Sequence, residues 1–125
     1  MAKKILIVED EPGILMSLDF LFRKKGYEVF IARDGKEAIE LLDKHQPDLT
    51  ILDIMMPEVD GYEVCNYIRQ TSSIAHNGII FLSAKSKKSD MEKGLELGAD
   101  AYMTKPFSNR ELLESVGDII EKKSL

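Results

Sequence analysis

"LTILDIMMPEVDG", residues 49–61, is an apolar run that ends in a carboxylate, Asp53, and then passes through Met55, Met56 and Pro57 to Asp60-Gly61. The run has the length and composition of a buried strand. A single acid at the end of such a strand serves equally well as a loop residue or a helix cap. What Asp53 does therefore depends on which other segments reach the same end of the sheet.

Outward from this stretch, the chain alternates in type. "KILIV" (4–8) and "EVFIA" (28–32) read as strands one and two, "LTILD" as strand three, "GIIFLS" (78–83) as strand four and "DAYMT" (100–104) as a short strand five. Helical patterns lie between them. The first helix carries Ile14, Leu18 and Leu21 on one face and stops at Gly26. The second is capped by Asp34, with Glu37 three residues on and Pro47 beyond its end. "DGYEVCNYIRQ" is the third and "KSDMEKGLELG" the fourth, with Gly98 at its C-terminus. Gly94 inside that fourth helix costs about 1 kcal/mol relative to alanine, so it is expected to be the weakest. The last helix opens with Ser108 and Glu111 as a capping box and has Leu112, Val116, Ile119 and Ile120 as its stripe.

Five strands alternating with five helices predict an α/β fold: a doubly wound parallel sheet with helices on both faces. Strand order 2-1-3-4-5 is the commonest for this count, and sites then form at the carboxyl ends of strands one and three. Those ends carry chemistry. Strand one runs into Glu9, Asp10 and Glu11, strand three into Asp53, strand four into Ser83 and strand five into Lys105. Crowded carboxylates need a proton or a cation between them. A hard divalent ion suits one or two carboxylates, a backbone carbonyl and waters, so Mg²⁺ is expected. A metal, Lys105 and the Ser83 hydroxyl around Asp53 would stabilise a phosphoryl group carried by that carboxylate.

The bounds agree with such a protein. The 125 residues suit a single domain, 1–125. Hydrophobic residues at 44% and charged residues at 31% are ordinary for a soluble fold. The net charge of −5 argues against a nucleic-acid surface on this segment. Cys65 is the only cysteine, which excludes an intrachain disulfide. The N-terminal apolar run is too short for a signal peptide or a membrane span, so a cytoplasmic location is expected. His45 and His76 read as surface residues, Glu11 as solvated, Cys65 as core and Lys85, Lys87 and Lys88 as a solvated helix start.

Together, "ILIVEDEP", "DLTILDIMMPEVDGYEVC", "IIFLSAKS" and "GADAYMTKPF" resemble the receiver domains of bacterial two-component response regulators over nearly the whole chain. The 2-1-3-4-5, flavodoxin-like order is that of this family, for which it is a standard example, so it is not an independent deduction. The resemblance implies Asp53 as phosphoacceptor, with Asp10 a direct Mg²⁺ ligand, Glu9 a ligand through water and the Met55 backbone carbonyl a third contact. Mn²⁺ would substitute for Mg²⁺. Lys105 would pair with the phosphoryl group, and the Lys105–Pro106 bond would be cis. Ser83 and Tyr102 would form a switch pair acting on the surface of helix 4, strand 5 and helix 5, a surface through which the phosphorylated form could dimerise. The implied partner is a sensor histidine kinase or a histidine phosphotransfer protein, and the domain is a signalling element rather than an enzyme. The output follows from neither residues nor resemblance: a stand-alone regulator and a receiver within a longer protein both fit. Two other classes compete. A haloacid-dehalogenase-type phosphatase needs a second Asp two residues after the nucleophile, where this chain has Met55. A flavodoxin-like cofactor binder wants a phosphate-cradling loop where Glu9, Asp10 and Glu11 stand.

Overall fold

The computed structural model describes residues 2–124. Its elements are β1 (Lys4–Val8), α1 (Pro12–Lys24), β2 (Glu28–Ala32), α2 (Gly35–His45), β3 (Leu49–Leu52), α3 (Gly61–Gln70), β4 (Gly78–Ser83), α4 (Lys88–Glu96), β5 (Ala101–Thr104) and α5 (Asn109–Lys123). The strands form one parallel sheet in the order β2-β1-β3-β4-β5.

Successive side chains of a strand leave opposite faces of the sheet. Leu6 and Val8 of β1, with Ile79 and Phe81 of β4, join one core with Val64, Cys65 and Ile68 of α3 and Leu42 of α2. Ile5 and Ile7, with Ile80 and Leu82, join the other with Leu15, Leu18 and Phe22 of α1 and Leu112, Val116 and Ile120 of α5. Burying both faces explains why the central strands are apolar without alternation. Each such Leu, Ile or Phe contributes about 1.5–3 kcal/mol on burial. The one polar interruption, Thr50, donates its hydroxyl to Asn77 Oδ1 at 3.0 Å, and the Asn77 amide donates to the Pro47 carbonyl.

The starts of α2, α3 and α5 follow from their caps. The Asp34, Asp60 and Ser108 side chains accept the backbone N–H of Glu37, Glu63 and Glu111, respectively. Glu37 closes its end one residue early, accepting from Arg33 N at 2.9 Å. Gly98, with φ of 107°, ends α4 in the left-handed region. No helix among the described residues is long and apolar enough to cross a membrane.

Two expectations need correction, and Gly94 gains a role that the sequence does not show. The buried face of α1 is Leu15, Leu18 and Phe22, with Ile14 and Leu21 half-buried beside it; several apolar positions compete on this helix, and only packing against the sheet selects the angle. His45 is half-buried, its ring stacked on Phe30 at 4.2 Å. Gly94 is buried, and a Cβ there would lie 2.9 Å from Phe81 and 3.0 Å from Tyr102. The glycine therefore has a packing role besides its low helix propensity: it lets α4 approach the sheet closely.

Cys65 is fully buried and burial pushes its thiol up to about 11. At pH 8 the thiolate fraction would be ~0.1%, so folded protein is expected to resist iodoacetamide and to react only after urea unfolding. Intact-mass alkylation within minutes under native conditions would contradict that burial.

Candidate phosphoacceptor site

Asp53 directly follows β3, and its N–H donates to the Val8 carbonyl at 3.0 Å, which extends the ladder between β3 and β1. Glu9 directly follows β1, its N–H held by the Ala32 carbonyl at 3.0 Å. Lys105 directly follows β5, its N–H held by the Ser83 carbonyl at 2.9 Å. Backbone pairing of rigid strands thus places two acids and a cation at one end of the sheet before any side-chain contact is made.

One carboxylate oxygen from each of Glu9, Asp10 and Asp53 lies within 4.8 Å of the other two. Glu9 and Asp53 are buried, and Asp10 is exposed at the mouth. Lys105 Nζ sits 2.9 and 3.1 Å from the two Glu9 oxygens and 3.7 Å from Asp53 Oδ2. The lysine is therefore engaged chiefly by Glu9 and only secondarily by Asp53. The resemblance implies that Lys105 pairs with a phosphoryl group on Asp53; without one, its ammonium rests on Glu9. Glu9 Oε1 also accepts the N–H of Glu11 at 3.2 Å, and Asp53 Oδ1 that of Met55 at 3.3 Å.

These bonds do not fully compensate the site. Burial is the main cause that raises the Asp53 carboxyl above its ordinary range; Lys105 and the Met55 N–H oppose it, and Asp10 adds to it. Burial likewise raises Glu9, against the Lys105 hydrogen bond and with the Asp53 charge. Three ionised carboxylates and one ammonium sum to two negative charges, the amount a divalent cation cancels. The donor set is all oxygen, which matches a hard ion such as Mg²⁺ and not a thiolate- or imidazole-seeking metal.

Ser83 is fully buried at the end of β4, where its Oγ accepts the Lys85 N–H at 3.2 Å. Tyr102 is half-buried on β5, its ring 5.9 Å from Phe81 and its hydroxyl donating to the Lys85 carbonyl at 2.7 Å. Both are thus tied to the same residue of the β4–α4 connection. Burial pushes the Tyr102 phenol up to about 12. The Lys105–Pro106 peptide is cis. Met55 is exposed while Met56 is buried, so the two side chains leave the chain on opposite sides.

Two residues that matter to this geometry have no distinctive sequence signal. Gly61 opens α3 against the backbone of Asp53 itself: a Cβ would lie 2.3 Å from the Asp53 carbonyl oxygen and 2.8 Å from Ile54 Cα. Tyr62, buried next to it, packs edge-on against Phe81 at 5.5 Å and donates its hydroxyl to the Asp90 carbonyl at 3.1 Å. The Asp-Gly pair points only to a helix start, and nothing in the sequence singles Tyr62 out within the third helix.

Residues 5–117 match the family model of the response regulator receiver domain. The chain is similar to the signal receiver domain of a signal transduction histidine kinase from Syntrophus aciditrophicus, at 35% identity and a TM-score of 0.89, with 97% of this chain and 92% of that one covered. It is also similar to a CheY-like receiver domain protein from Methanospirillum hungatei JF-1, at 28% identity and a TM-score of 0.93 over 99% of this chain and 98% of that one. A third neighbour is the BeF3-activated DrrB receiver domain, 31% identical with a TM-score of 0.87, covering 97% of this chain and 99% of that one. With a family model matching most of its length and its acid cluster at the end of strands β1 and β3, this chain belongs to the receiver domains of response regulators.

Proposed function

We propose that residues 1–125 act as one phosphoacceptor domain in which Asp53 takes a phosphoryl group from a phosphohistidine of a sensor kinase or a histidine phosphotransfer protein. The observation that supports this most is the convergence of Glu9, Asp10 and Asp53 within 4.8 Å, beside Lys105. An Asp53 carboxylate oxygen attacks phosphorus; the O–P bond forms as the N–P bond breaks, and the imidazole leaves with the electron pair. Water later attacks phosphorus of the acyl phosphate; the bond to the Asp53 oxygen breaks, inorganic phosphate leaves and the carboxylate returns. The protein assists both steps without being a turnover enzyme.

Glu9, Asp10, Asp53 and the Met55 carbonyl would hold Mg²⁺, or Mn²⁺ in its place. When bound, the ion supplies positive charge for the phosphoryl oxygens. Lys105 holds a further phosphoryl oxygen by its ammonium. Asp53 is kept oriented by the Met55 N–H, and its position at the end of a strand limits reorganisation. Ser83 turns its hydroxyl to the phosphoryl group, Tyr102 follows, and the α4–β5–α5 face changes for an output domain, a partner or self-association. The site acts in the cytoplasm, without contact to nucleic acid or membrane by this segment.

Acetyl phosphate with Mg²⁺ is expected to add one phosphoryl group, and EDTA to prevent it. Because burial raises Glu9 and Asp53, protons compete for these oxygens at a higher pH than for free carboxylates. Labelling should therefore fall on the acid side before ordinary aspartates titrate. Intact-mass spectrometry checks both; labelling that persists in EDTA would refute the metal dependence.

A further inference from the structure

Helix α4 is anchored by little of its own surface. Gly94 is its one buried residue, and its N-cap, Lys87, supplies no side-chain hydrogen bond. Two tyrosine hydroxyls grip its approach instead: Tyr102 at the Lys85 carbonyl and Tyr62 at the Asp90 carbonyl in the first turn. Phe81 contacts both rings. From α4, Lys93 Nζ lies 4.3 Å from the Tyr62 ring centroid, a second tie between the same residue and the same helix.

The two tyrosines stand on different routes from the site. Tyr102 lies on β5 and shares Lys85 with Ser83. Tyr62 follows Gly61, which has no room even for a methyl group over the Asp53 backbone and whose N–H donates to the Ile54 carbonyl at 3.1 Å. A displacement of the loop after Asp53 therefore cannot be absorbed at Gly61; it moves the start of α3.

We propose that Tyr62 is a positioning residue that carries a change at Asp53 to the first turn of α4, through Gly61 and the Tyr62–Asp90 hydrogen bond, in parallel with Ser83 and Tyr102. The inference rests on the phosphoacceptor reading. It explains why a helix with one buried residue can still respond to a site it does not touch. The hydroxyl is the transmitting group, because its bond is directional, whereas ring packing on Phe81 tolerates small shifts.

Tyr62→Phe removes that hydroxyl and keeps the ring, its Phe81 contact and the Lys93 contact. Amide hydrogen exchange is the measurement, with and without beryllofluoride and Mg²⁺. In the metal-free chain, α4 amides of Y62F should exchange about five-fold faster, the loss expected for one hydrogen bond. The beryllofluoride response should remain at the loop after Asp53 and shrink in α4. Equal acceleration in both states would reduce Tyr62 to a structural tie and overturn the transmission. Wild-type exchange in α4 of Y62F would overturn the inference at its first step. A wild-type chain with no beryllofluoride response even at Asp53 would instead remove the phosphoacceptor reading, and the transmission with it.

Discussion

Asp53→Asn is expected to take up no phosphoryl group from acetyl phosphate and Mg²⁺, and in metal-free buffer to be more stable than the wild-type chain. The first outcome follows from chemistry, since an amide is a poor nucleophile toward phosphorus. The second follows from electrostatics. The Asp53 carboxylate is buried, Asp10 adds repulsion, and the nearest cation is engaged mainly by Glu9. Replacing an undercompensated buried charge with a neutral isostere should stabilise by about 1–2 kcal/mol, or roughly 5 °C in Tm.

The sign can be checked against pH. An acid whose folded pKa is raised favours folding when protonated, and that contribution is lost as pH rises through the folded value. Asparagine resembles the protonated acid at every pH. The gap between variant and wild type should thus be widest at neutral pH and close as Asp53 is protonated. Thermal melts in EDTA across this range measure it, and intact mass measures labelling. Undiminished phosphorylation of the variant would mean another residue is the acceptor; a variant less stable than wild type at neutral pH, with the deficit closing toward acid, would mean Asp53 is well compensated.

Gly61→Ala is expected to damage both the fold and the site. The new Cβ would meet the Asp53 carbonyl oxygen at 2.3 Å and Ile54 Cα at 2.8 Å, both of them backbone atoms that cannot rotate away. Either α3 lifts from the sheet or the strand end moves. Overpacking of this kind costs about 1–3 kcal/mol, with the upper end expected here because no side chain can yield. Alanine's better helix propensity, worth about 1 kcal/mol in a helix interior, offsets only part of that. Urea denaturation should show a net loss of about 2 kcal/mol. The phosphorylation rate should fall more steeply than stability predicts, since a displacement of about 1 Å at reacting groups costs roughly 100-fold. A variant with wild-type midpoint and rate would show that α3 does not rest on Asp53.

Much of this protein was legible in its sequence because the signals are local. Apolar runs of strand length, helix periods, and the Asp34, Asp60 and Ser108 caps each involve a few neighbouring residues, and all the strands and caps appear where those residues stand. Resemblance to a known family supported the order that brings Glu9, Asp10, Asp53 and Lys105 to one end of the sheet. Pairings among distant residues were not legible. Lys105 prefers Glu9, 96 positions away, because its long side chain reaches from the end of β5 past the ends of β4 and β3 to a buried carboxylate at the end of β1. Gly94 looked only like a weak point and is also a close-packing position against Phe81 and Tyr102. Tyr62 carries no local signal of its partner and reaches across to Asp90. Nor does anything local to Arg69 show that it bonds the Gly98, Ala75 and Asn77 carbonyls and Asp100. Secondary structure and the identity of the chemical groups are set by short-range sterics, capping and hydrophobic period, which a sequence states directly. Which cation meets which carboxylate, and which hydroxyl meets which carbonyl, depends on strand register, helix approach and desolvation, and these exist only once the chain has packed.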